Sequence, residues 1–133
     1  MPDVDASNWS DVVEAEDYQT ALQYLSLLLP DDAAKRAVEA LRNAPLVRRQ
    51  AKDLLRASNL DPLPGDNPDV ASKLKKLKKG RLLTPVLLLR GDLRRRAPLT
   101  IADGYHRISA SYILDEKAEI PCKLAELPGE ETI

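Results

Sequence analysis

From Asp17 the apolar positions Tyr18, Leu22, Leu25 and Leu29, with Ala21 and Leu28 beside them, recur at three- and four-residue spacing. That pattern predicts a helix, and Pro30 ends it. Asp31 or Asp32 can cap a second helix, whose buried face would be Ala34, Ala37, Val38 and Leu41 up to Asn43. The two make an antiparallel pair joined by a tight Pro-Asp-Asp turn. After Pro45 the pattern admits two readings, a single helix or a strand over Leu46–Ala51 followed by a short helix over Asp53–Ala57; the second is preferred. Asn59 to Pro68 is dense in turn formers and reads as loop.

Asn67 as N-cap and Pro68 as first helical residue start the next helix, with Val70, Leu74 and Leu77 as its inner stripe and Gly80 as its stop. The continuous apolar run Pro85–Arg90 predicts a strand buried on both faces. Leu99–Ala102 returns as its hairpin partner across a basic tip, Gly91–Pro98. A helix follows from Tyr105 to Leu114, and Ile120–Ala125 is the last strand, where Pro121 predicts an edge position or a strand start. The domain plan is an acidic, loosely ordered stretch (residues 1–15), a helical pair (16–44), an α+β domain (45–128) and a tail (129–133).

Composition narrows the class of protein. The chain has 133 residues, enough for a single core, and a composition of 44% hydrophobic and 31% charged residues is that of a globular protein. A single cysteine, Cys122, rules out an internal disulfide and a cysteine-rich zinc site, and fits a reducing compartment. No apolar run is long enough to span a membrane and the N-terminus lacks a secretion pattern, so a cytoplasmic location without membrane partners is expected.

The net charge of −1 hides segregation. Acids dominate both ends, whereas between Lys73 and Arg96 ten cations face the single acid Asp92. Such a patch attracts phosphates, so nucleotide and nucleic acid both enter as partners; its bland alternative is a solvated face balanced by the acidic ends.

The densest candidate chemistry lies where the Leu99–Ala102 strand turns through Asp103-Gly104 into the Tyr105 helix. A strand-to-helix corner aims backbone N–H groups and the positive helix end at one point, and His106 and Arg107 add donors there. Gly104 lets a phosphate approach the backbone, and Asp103 is a cap or a metal-facing carboxylate. Each has an ordinary structural alternative, namely N-cap, turn glycine or surface side chain. Together they favour an anion site.

Residues Gly104-Tyr105-His106-Arg107-Ile108-Ser109-Ala110 form G-x-x-R-x-x-A, preceded by a short helix, a strand and a hairpin and followed by helix and strand. In that order, from Asp66 to Leu124, the chain resembles the ParB/sulfiredoxin superfamily. The resemblance implies a small mixed sheet with packed helices, here preceded by an N-terminal helical pair. It also implies nucleotide-phosphate binding at the signature helix, with ATP or CTP and Mg²⁺ as the expected cofactor. Sulfiredoxins carry their catalytic cysteine where this chain has Tyr105, so sulfinic-acid reduction is not expected. The chain ends at Ile133, leaving no downstream helix-turn-helix, so centromere binding is not expected either. The Asp-Gly-x-His-Arg form looks most like the ParB-fold free-serine kinases.

On that resemblance Gly104, Tyr105, His106 and Arg107 hold phosphates, Asp103 ligates Mg²⁺ or orients a nucleophile, and His106 contacts phosphate or acts as acid/base. Lys73 and Lys76 form an opposite cationic wall. Asp53, Asp66 and Asp69 are unranked candidates for a further carboxylate base. A phosphotransferase or nucleotide hydrolase is the enzymatic expectation. The alternatives are a non-enzymatic module that engages a protein through the N-terminal helices, and a nucleic-acid binder or ParB-like nuclease using the Lys73–Arg96 patch.

Overall fold

In a computed structural model, residues 9–127 of the chain are described. The elements are α1 (Ala15–Leu25), α2 (Asp31–Asn43), β1 (Leu46–Gln50), α3 (Ala51–Ser58), α4 (Pro68–Lys78), β2 (Val86–Leu89), β3 (Thr100–Asp103), α5 (Tyr105–Leu114) and β4 (Glu119–Ala125). The fold is α+β, built on one mixed sheet in the order β1-β4-β2-β3. β1 and β4 pair antiparallel, β4 and β2 parallel, and β2 and β3 antiparallel.

β2 is the hub because its four side chains are all buried and alternate between two cores. Val86 and Leu88 enter the core formed with α3, α4 and α5, whereas Leu87 and Leu89 enter the one formed with α1 and α2. This is the period of two that a strand imposes, applied to an all-apolar run. The helical pair therefore covers the back of the sheet. Ala34, Ala37, Val38 and Leu41, its expected stripe on α2, are buried there with Tyr18, Ala21 and Leu25 of α1.

Four details depart from the sequence reading. Leu28 is exposed, because α1 stops at Leu25 and the chain turns before Pro30. Asp31 and Asp32 are not caps but first-turn residues of α2, whose N-cap position is Pro30; there they still meet the positive helix end. Pro121 is neither on an edge strand nor at a strand start: β4 is interior. The ladder explains the tolerance, since β2 pairs with β4 only from Cys122 onward, so around Pro121 the strand has β1 alone as a neighbour. Finally, residues 9–15 are tied down. Trp9 is buried and bridges Leu83, and the Ser10 amide donates to the Leu83 carbonyl at 2.7 Å. The rest of the acidic N-terminal stretch, residues 1–8, and the tail 129–133 lie outside the described residues.

Candidate functional site

At the corner between β3 and α5 the helix N-cap is Gly104, not Asp103, and its φ of +117° is a left-handed conformation that suits glycine. Space imposes a second demand. A Cβ built at Gly104 would lie 2.4 Å from Val86 Cγ1, so the corner packs directly against the hub strand. Tyr105 turns away, its hydroxyl donating to the Asp61 carbonyl.

Arg107, in the first turn of α5, is 8% exposed, and its two Nη groups tie elements together while its buried Nε has no hydrogen-bond partner. Nη1 donates to Asp17 Oδ1 at 3.2 Å, and Nη2 donates to Asp103 Oδ2 at 3.0 Å and to the Pro85 carbonyl at 3.3 Å. Asp17 is shared in turn: its other oxygen accepts from the Glu14 amide at 3.1 Å within the capping box of α1. One guanidinium thus joins α1, β3, α5 and the entrance to β2.

The two carboxylates are unequal. At Asp17 burial opposes ionisation, but the Arg107 charge, the Thr84 hydroxyl and the Glu14 amide outweigh it and hold the carboxyl below its ordinary value. At Asp103 burial prevails, aided by the charge of Asp17, and the carboxyl is raised although Arg107 pulls it down. Together they titrate as a coupled pair.

Beside Arg107 lies a pocket of about 240 Å³ lined by Glu14, Glu16, Asp17, Lys73, Lys76, Leu82, Leu83, Thr84 and Arg107. Lys73 and Lys76 are half-buried, whereas Lys75, Lys78 and Lys79 of the same helix are exposed. Neither Lys73 nor Lys76 has a carboxylate within ion-pair distance among the described residues. Burial lowers the pKa of the Lys73 ammonium, and the charges of Lys76 and Arg107 lower it further, against a weaker pull from Asp69.

The structure therefore sorts the expected site residues. Lys73, Lys76 and Arg107 line one pocket. His106 does not line the pocket. It is half-buried, with Nε2 3.6 Å from Asp69 Oδ2. Of the unranked carboxylates, Asp53 pairs with Lys52 at 3.1 Å, Asp66 is exposed in the turn before α4, and Asp69 faces His106.

A carboxylate that does reach the corner is Asp17, which the sequence reading names only as the point where the helical pattern begins. Thr84 was missed as well. No local signal marks either residue, because the Asp17–Arg107 contact spans 90 positions. Asp103, the expected metal carboxylate, accepts from Arg107 Nη2 through Oδ2 at 3.0 Å. Among the described residues no three His, Cys, Asp or Glu side chains gather where they could hold an ion. Cys122 is buried and its thiol is pushed up to about 11 by burial, the state of an inert core cysteine.

Neither family models nor curated proteins nor solved structures give a match to this chain.

Proposed function

We propose that the chain binds the phosphate groups of a nucleotide in the pocket between α1, α4 and the Leu82–Thr84 segment, with Lys73 and Lys76 as the charges that meet them. The observation that carries this reading is the pair of half-buried lysines, neither within ion-pair distance of a carboxylate among the described residues, packed beside a third cation in a pocket that Glu14, Glu16 and Asp17 also line. In the free protein burial, and after it the Lys76 and Arg107 charges, disfavours the charged form of Lys73, and an anion relieves that cost. Thr84 adds a hydroxyl to the wall, and Leu82, 60% exposed at the pocket, offers an apolar surface to a base. The resemblance to the ParB/sulfiredoxin superfamily supports the same ligand class.

Arg107 has a different part in this reading from the one its motif implies. Its Nη groups are committed to Asp17, Asp103 and Pro85, so it holds the pocket's walls in place while the lysines bind. Phosphoryl transfer to an acceptor is the enzymatic form of the proposal, with the pocket carboxylates Glu14, Glu16 and Asp17 as its candidate proton-handling groups.

Calorimetric titration with ATP and with CTP, with and without Mg²⁺, tests this on the wild type, Lys73→Gln and Lys76→Gln. Each lysine removes about one charge-assisted contact, so each variant should bind about tenfold or more weakly. Affinity should also fall as pH rises through the lowered Lys73 value, below its ordinary 10.5. Absence of binding by any nucleotide, or undiminished binding in both variants, overturns the proposal.

A further inference from the structure

At the opposite end of β2 a second cavity, of about 580 Å³, opens between the C-terminus of α3, the β2–β3 connection and the end of β4. That volume falls within the usual range of small-molecule sites, ~300–1,000 Å³. Ala57, Pro98, Leu99 and Leu124 line it, and Leu93, 95% exposed, stands among its lining residues. Five arginines, Arg90, Arg94, Arg95 and Arg96 along this connection and Arg56 near the end of α3, differ in their surroundings. Arg90 donates to Glu126 at 2.6 Å and Arg95 lies 3.7 Å from Asp92. Arg56 and Arg96, both lining the cavity and both exposed, meet no carboxylate among the described residues.

The cavity's walls are joined by local hydrogen bonds. Asp92 and Ala97 bridge with two backbone hydrogen bonds at 2.8 and 2.9 Å, and the Asp92 side chain caps the Arg94 amide. The Leu99 amide donates to the Ala57 carbonyl at 2.9 Å, which ties the connection to α3. Gly91 admits no side chain, since a Cβ there would lie 2.5 Å from the Ala97 carbonyl oxygen. Arg96 sits at φ 58°, a left-handed position where glycine or asparagine is easier to accommodate. An arginine kept at a strained position, unpaired, on the rim of an apolar cavity is a side chain whose use lies outside the fold.

We infer that this cavity binds a small organic anion, its apolar body against Leu99, Leu124 and Ala57 and its carboxylate or phosphate between the Arg56 and Arg96 guanidinium groups. Planar guanidinium forks suit both head groups, and the site lies at the carboxyl ends of the parallel strands β2 and β4, a placement that open sheets use for ligands. It shares no lining residue with the lysine pocket, so it stands independently of the nucleotide reading.

The test is calorimetry on the full chain with naphthoate, naphthyl phosphate, the neutral naphthol and inorganic phosphate, supported by amide NMR shifts at Ala57, Gly91 and Leu99. One or both of the organic anions should bind, the one that does naming the head group, and naphthol and inorganic phosphate should bind about tenfold or more weakly. Arg96→Gly should lose at least that factor while its melting temperature stays level or rises, because glycine relieves the positive φ; loss of binding then cannot be loss of fold. Arg56→Gln should lose a similar factor. Arg94→Gln, an arginine of the same tip outside the cavity, should not. Failure of both organic anions to bind, equal binding of naphthol, or equal losses in Arg94→Gln and Arg96→Gly overturns the inference.

Discussion

The two ends of β2 use arginine in opposite ways. At the amino end Arg107 is buried, with two carboxylates and a carbonyl on its Nη groups. At the carboxyl end Arg56 and Arg96 are exposed and have no acidic partner among the described residues. A guanidinium cannot be both a structural joint and an available binding group, since its donors are spent once. The signature arginine that looks most functional in the sequence is thus the joint. The arginines that look like surface charge are the available ones.

The largest expected effect separates these uses directly. Arg107→Ala leaves Asp17 and Asp103 facing one another with no cation between them, and removing one side of a buried pair costs about 3–5 kcal/mol. Arg56→Ala, on an exposed face, should stay within about 0.5 kcal/mol of the wild type. Urea unfolding measures both. A loss below about 1 kcal/mol in Arg107→Ala would mean the joint is dispensable and would return Arg107 to the list of free ligands.

Glycines at the two ends sharpen the contrast. Gly104→Ala meets both a φ of +117° and a Cβ contact of 2.4 Å with buried Val86, and strain and overpacking together amount to about 2–5 kcal/mol. Gly91→Ala also meets close atoms, all of them backbone, the Ala97 carbonyl oxygen at 2.5 Å, the Pro98 carbonyl carbon at 2.6 Å and the Leu99 nitrogen at 2.8 Å, so the connection itself must move, but Gly91 carries no left-handed φ. Its cost should be about 1–3 kcal/mol, with the damage centred on the cavity it walls. Thermal unfolding should rank Gly104→Ala below Gly91→Ala. The reverse order would mean that the tip, not the corner, is the rigid end.

These features were unevenly legible in the sequence. The stripe Ala34, Ala37, Val38 and Leu41, the Asn67 cap and the buried run of β2 all follow from periodicity and capping chemistry, which act within a few residues. At that cap Asn67 Oδ1 accepts from the Asp69 and Val70 amides at 2.9 and 3.2 Å. Periodicity says which face of an element is apolar. It does not say which distant element covers that face. So the helical pair was legible as a pair but not as the back layer of the sheet, and Gly104 was legible as a turn but not as a contact with Val86. Asp17 was hidden for the same reason: its role exists only once α1 lies across β3. The division of the α4 lysines into half-buried Lys73 and Lys76 and exposed Lys75, Lys78 and Lys79 likewise depends on what packs beside that helix.

The smallest effect is the pH dependence of the Arg107 joint, small because its two carboxylates pull in opposite directions. Asp103 is raised above its ordinary 3.8 in the folded state, so its ionised form costs stability, and that cost is relieved as pH falls through the raised value. Asp17 is lowered below 3.8, so its contribution is complete above 3.8 and is lost as pH falls through the lowered value. Stability traced downward from neutral pH should therefore carry a gain from Asp103 before the loss from Asp17 begins. Asp103→Asn removes the gain and keeps an acceptor for Arg107, whereas Asp17→Asn removes the later loss. Urea midpoints measured across the acid range, with each variant subtracted from the wild type, isolate the two steps. If Asp103→Asn instead removes a loss on acidification, Asp103 is the carboxylate that Arg107 stabilises most, and the joint is held by α5 and β3 with α1 as its lesser partner.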